Sequence, residues 1–167
     1  MIKIVAKTNN IDNSIIDNMK ILAQIRTALL NDSIAKEICN DNGIGEWFLI
    51  AVPIRFEALS VSAKTQEGSI VLNSKLKKFP FPTQMRYVIH ELVHAIQHAL
   101  NKNEDSDNQK EYLDRSDELE AFQYQIKFDA ENNDEEDIEE YIEGLLDHHD
   151  LTGPKKKEKR KELLDKI

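Results

Sequence analysis

Read for the periodicity of its apolar positions, the chain first settles into a helical rhythm over residues 12–30, after a short apolar start at Ile2, Ile4 and Val5. Ile15, Ile16, Met19, Leu22, Ala23, Arg26 and Leu29 fall near helical spacing and predict an amphipathic helix. A shorter helix is expected over 34–40, with Ser33 as its cap and Ile34, Ala35, Ile38 and Cys39 on one apolar side. It should stop at Asn42-Gly43-Ile44-Gly45. Residues 47–56 read as extended chain, which Pro53 confines to a sheet edge or a bulge. A strand is expected at 69–73, following the turn residues Glu67 and Gly68.

Pro80-Phe81-Pro82 blocks helix upstream, and Thr83 can cap a long helix over 84–100. A polar loop through Asn108 follows, then acidic helices over 116–130 and 134–146. At Thr152-Gly153-Pro154 the composition flips to a basic run, expected to be frayed or partly helical; folding back on the acidic surface, touching nucleic acid and having no role are its alternatives, in that order. The mixture of helices and short strands predicts an α+β fold, with one domain over 1–152 and a basic tail over 153–167.

Composition narrows the class. The 167 residues are 40% hydrophobic and 32% charged with a net charge of −9, which describes an acidic globular protein and argues against a nucleic-acid binder. No stretch approaches the roughly 20 apolar residues that span a bilayer. The first ten residues lack a basic region followed by an apolar core, so a cytoplasmic location is expected. The single cysteine, Cys39, rules out an intramolecular disulfide and a multi-cysteine zinc site, and its apolar setting predicts a buried thiol.

The chemistry concentrates in the helix expected at 84–100, which carries His90-Glu91-Leu92-Val93-His94. Residues four apart on a helix lie about 6 Å apart along the axis and about 40° apart around it, so both imidazoles can reach one ion. Zinc accepts such a pair and in catalytic sites adds a third protein ligand, leaving a position for water. Glu91 is the candidate base for that water. The opposite side of the helix offers Val88, Leu92, Ala95, Ile96 and Ala99 to a core. His98 lies about 12 Å along the axis from His90 and is too far to share the ion on an unbroken helix. Candidates for the third ligand are Glu118, Glu120 and the pair His148 and His149.

Together, the HExxH sequence and the downstream Glu118-Leu119-Glu120-Ala121 resemble the gluzincin branch of the zincin metallopeptidases, over roughly residues 70–128. In that branch a glutamate on a second helix completes the site, often with a small residue one turn later. The resemblance implies Glu118 as ligand with Glu120 as the fallback, and no glycine follows His94 as a metzincin site would require. It also implies a zincin-like domain, zinc as cofactor, a peptide or protein substrate, and a strand before the active-site helix, here 69–73, running along the cleft. Tyr87 departs from the extended signature, which prefers a small or aliphatic residue there. Tyr112, Arg115 and Tyr124 are candidates to stabilise the oxyanion, and Tyr112 is taken first. The expected activity is zinc-dependent peptide hydrolysis. The alternatives are an inactive zinc-binding module and a helical interaction protein.

Overall fold

A computed structural model describes residues 13–102, 111–132 and 135–167. The apolar start at Ile2, Ile4 and Val5 and the loop expected through Asn108 fall largely or wholly outside the described residues. The architecture is α+β. Seven α-helices surround a three-stranded mixed sheet among the described residues. The helices are α1 (Asn13–Asn31), α2 (Ser33–Asp41), α3 (Trp47–Ala51), α4 (Phe81–Ala99), α5 (Ser116–Asn132), α6 (Glu135–His148) and α7 (Gly153–Leu163). No described helix is long and apolar enough to cross a membrane.

The amphipathic helix expected first is α1, but its buried stripe runs through Ile25 and Leu29, with Ile21 and Ala28 partly covered. Ile15, Ile16 and Met19 face solvent. Asp32, rather than Ser33, caps α2, its side chain accepting from the Ala35 N–H at 2.8 Å. Cys39 is fully buried in this helix, and burial together with the nearby Glu46 charge pushes its thiol up to about 11.

The extended chain expected over 47–56 is corrected in its first half, where Trp47–Ala51 is helical. Arg26 of α1 donates to the carbonyls of Leu49 and Val52 and so satisfies groups that a five-residue helix would leave open at its C-terminal end. Only Ile54–Glu57 is extended, as strand β1. It pairs in parallel with β3 (Ser69–Asn73), which also pairs antiparallel with β2 (Ala63–Gln66). The strand foreseen at 69–73 is therefore the central one, with β1 and β2 at the edges, and the edge beside α4 belongs to β2. A two-residue turn, Glu67 and Gly68, joins β2 to β3, with φ of 51° and 71°. Two positive φ values of this kind make a type I′ turn, whose twist matches that of the strands it joins.

Helix α4 begins at Phe81 with Pro82 in its first turn, where the missing N–H costs nothing, so Thr83 is not its cap. Val88, Leu92, Ala95 and Ile96 are fully buried in the main core, whereas Ala99 is exposed. Helix α5 packs on α4 and is shared by two apolar clusters. Ala121, Tyr124 and Phe128 join the main core; Phe122 and Ile126 join a second cluster with Leu113, Ile142, Leu146 and Leu163.

Residues 153–167, expected as a frayed or partly helical tail, form α7 and fold back on the acidic helix α6. Lys156 pairs with Glu143 at 2.7 Å and with Asp147, and Arg160 pairs with Glu143 at 2.8 Å and with Glu139. Exposed pairs of this kind contribute little one by one. The anchor is Leu163, fully buried in the second cluster.

Candidate metal centre

The site forms where α4 meets the first turn of α5. Glu118, the candidate third ligand, lies beside the two histidines, 6% exposed next to His90 at 7%. Its Oε2 lies 3.5 Å from His90 Nε2 and 3.4 Å from His94 Nε2, and the two Nε2 atoms are 3.2 Å apart. Zinc bonds of about 2.0–2.1 Å in a tetrahedron put neighbouring donors about 3.3–3.4 Å apart, so the triangle has the size such an ion needs. Among the described residues Glu118 Oε2 has no hydrogen-bond partner of ordinary geometry although it is buried, as a donor atom kept for an ion would be. Among the described residues this is the one group of three or more His, Cys, Asp or Glu side chains that could hold a metal.

The charges follow from the geometry. Burial alone would raise the Glu118 carboxyl, but contacts from His90, His94 and the Tyr112 hydroxyl outweigh it and hold the group well below the usual carboxylate range. Burial works against a charged His94, yet the contact with Glu118, the charges of Glu118 and Glu91 and the bond that His94 donates to Gln97 together raise it. Glu91 is shifted opposite to Glu118. Desolvation raises its carboxyl despite the neighbouring histidines, and Thr65 on β2 donates to its Oε2 at 2.9 Å.

Two features of the site lie beyond the sequence reading. The first is Thr65, which holds the candidate base from across the cleft. The second is an orienting chain behind His94, whose Nδ1 donates to Gln97 Oε1 at 2.9 Å. Gln97 is 2% exposed, and its amide donates to Glu120 Oε2 at 2.9 Å and to the Asp117 carbonyl at 3.2 Å. Glu120, the fallback ligand, is thus outside the ligand cluster and anchors Gln97 instead. His90 Nδ1 has no such partner, its ring packing edge-on against Phe122 at 4.7 Å. Outer partners of metal-bound histidines are worth about 10–100-fold in metal affinity. Gln97→Leu is therefore expected to weaken zinc binding by a factor in that range, read by competition with a chromophoric chelator, while the helical circular dichroism is kept.

The other candidates separate clearly. His98 is exposed and lines the cleft mouth outside the cluster. His149 stacks on Tyr112 with ring centroids 5.2 Å apart, and with His148 it lines the cleft away from the three ligand atoms. Tyr112 and Arg115 border the ligand cleft. Burial and the Glu118 contact raise the Tyr112 phenol far enough to keep it a protonated donor. Arg115 is held by Asp117 at 2.6 Å and stands 3.6 Å from Glu118 Oε1. Tyr124 is excluded as an oxyanion donor, because it is fully buried on the other side of α5 and its hydroxyl donates to Asp41 of α2.

No protein-family model, curated protein or solved structure matches this chain.

Proposed function

We propose that the protein is a zinc-dependent metallopeptidase with a zincin-like domain of the gluzincin arrangement. The observation that carries this reading is the convergence of His90, His94 and Glu118 at tetrahedral spacing beside a buried, hydroxyl-anchored Glu91. Bound there, zinc supplies Lewis acidity that polarises a peptide carbonyl and lowers the pKa of water towards neutrality. Glu91, with its raised carboxyl, takes the proton of the attacking water and delivers it to the leaving amine. Thr65 fixes the rotamer of Glu91 through one carboxylate oxygen and leaves the other for the proton. Tyr112 is the donor to the developing oxyanion, with Arg115 beside it. The outer edge of β2, unpaired among the described residues, accepts extended peptide as an added strand, a mode that fits a peptide or protein substrate. A lone, buried thiol suits work in the reducing cytoplasm.

Metal analysis of protein purified without chelator tests the reading. Near one zinc per chain is expected, with peptide hydrolysis lost on adding 1,10-phenanthroline and restored by zinc. A chain that binds no zinc overturns the reading entirely. One that binds zinc stoichiometrically but cleaves nothing in a diverse peptide pool is a zinc-binding module instead.

A further inference from the structure

Beside the ligand cluster the cleft opens into a second cavity of about 530 Å³, which the hydrolytic chemistry above does not use. Val61, Ala63, His90, Glu91 and Tyr112 line both spaces, so a chain lying across Glu91 passes the mouth of this cavity. Its remaining walls include Tyr87 of α4, Phe122 of α5, Tyr141, Leu145 and His148 of α6, and His149.

The walls are mostly rings, and they are held in place. Phe122 is 8% exposed and meets His90 edge-on. The Tyr141 hydroxyl accepts from Gln125, itself 2% exposed, and the Arg86 guanidinium lies over the Tyr141 ring at 4.7 Å while bound to Asp129 at 2.7 Å. Among the described residues no lysine or arginine lines the cavity, and Glu91 is the one carboxylate there. A cationic side chain would therefore find no carboxylate but the base itself, and an anionic one would meet that base without a counter-charge. Burial and the neighbouring His148 lower His149, which keeps that imidazole neutral. The volume falls within the roughly 300–1,000 Å³ of ligand pockets, and ring walls favour offset or edge-on contact with another ring. Tyr87, the residue that departs from the zinc-peptidase signature, supplies one of those walls.

We propose that this cavity is a specificity pocket and that the substrate is a peptide carrying an aromatic side chain next to the scissile bond. The proposal rests on the peptidase reading for its biological meaning, but the pocket can be tested without turnover. The probes are acetyl-Ala-Phe-Ala-amide and acetyl-Ala-Ala-Ala-amide, added to the zinc-loaded full chain while the methyl resonances of Val61 and Leu145 are followed. The Phe probe is expected to shift both sets of methyls and the Ala probe neither. In a matched series of fluorogenic peptides, kcat/KM for Phe beside the cleaved bond should exceed that for Ala by at least about tenfold, as apolar pocket contacts give. Leu145→Trp fills the pocket from α6 and Val61→Trp narrows it from the loop before β2. Each should collapse that ratio towards one, and having two separate variants keeps the test standing if either fails to fold. Equal response to both probes, or a Phe preference that survives both variants, overturns the pocket. Selective binding of the Phe probe with no peptide cleaved supports the pocket and removes the peptidase reading alone.

Discussion

Glu91→Gln is expected to keep zinc bound and to lower kcat/KM for peptide hydrolysis by about 10²–10⁴-fold, the contribution of a positioned general base. The amide is nearly isosteric and can still accept the Thr65 hydroxyl, so the cleft keeps its shape while losing the proton acceptor. The variant should also fold well without metal. Because burial raises the Glu91 carboxyl on folding, the stability linked to its proton is complete only below the unfolded value and is lost as pH rises through the folded one. A neutral amide removes that loss, so the metal-free variant should be at least as stable as the parent at neutral pH. Zinc content and kcat/KM measured on the same sample decide the matter, and a variant that cleaves as fast as the parent sinks the proposed role.

Glu118→Gln should strike the metal itself. The substitution removes the anion from a triangle whose other corners are neutral donors, and the loss of affinity should exceed the roughly 10–100-fold that outer-shell partners are worth. Stability supplies an independent readout. A ligand present at a thousand times its dissociation constant stabilises the fold by about 4 kcal/mol. Chelator should therefore lower the Tm of the zinc-loaded parent and leave the Tm of Glu118→Gln unchanged. A Glu118→Gln protein that retains zinc through dialysis against chelator would exclude Glu118 as a ligand.

What could be read from the sequence was local chemistry. The HExxH pair, the proline-bounded helix around it and the carboxylate at Glu118 all depend on spacing within one element or on a motif a few residues long. The features that stayed hidden depend on partners far along the chain. Trp47–Ala51 looked extended because its helical ending relies on Arg26, an arginine on another helix. Helix α7 looked like a loose tail because a lysine-rich run carries almost no apolar pattern, and what holds it is distant: its one deep leucine, the facing carboxylates of α6, Asp114 bound to Lys159, and Gln123 of α5. Glu120 looked like a spare ligand because nothing in its neighbourhood announced Gln97. Strand β2 escaped notice because Ala63-Lys64-Thr65-Gln66 is not rich in strand-forming residues and is extended by pairing with β3.

That last strand puts part of the candidate site under the control of a turn. Pairing across Glu67 and Gly68 sets Thr65 opposite Ile70, on the face that meets α4, and sends Lys64 to the other face. Gly68 has little freedom to change, since its φ of +71° suits glycine and a Cβ there would come within 3.2 Å of the His98 ring. A shift of one residue in the hairpin would exchange the hydroxyl for an ammonium group beside Glu91, converting a tuned carboxylate into half of an ion pair. Burial sets the direction of the Glu91 shift, but the hydroxyl that tempers it comes from strand registry, and a lineage could change that contact by editing the hairpin while every candidate ligand stayed the same.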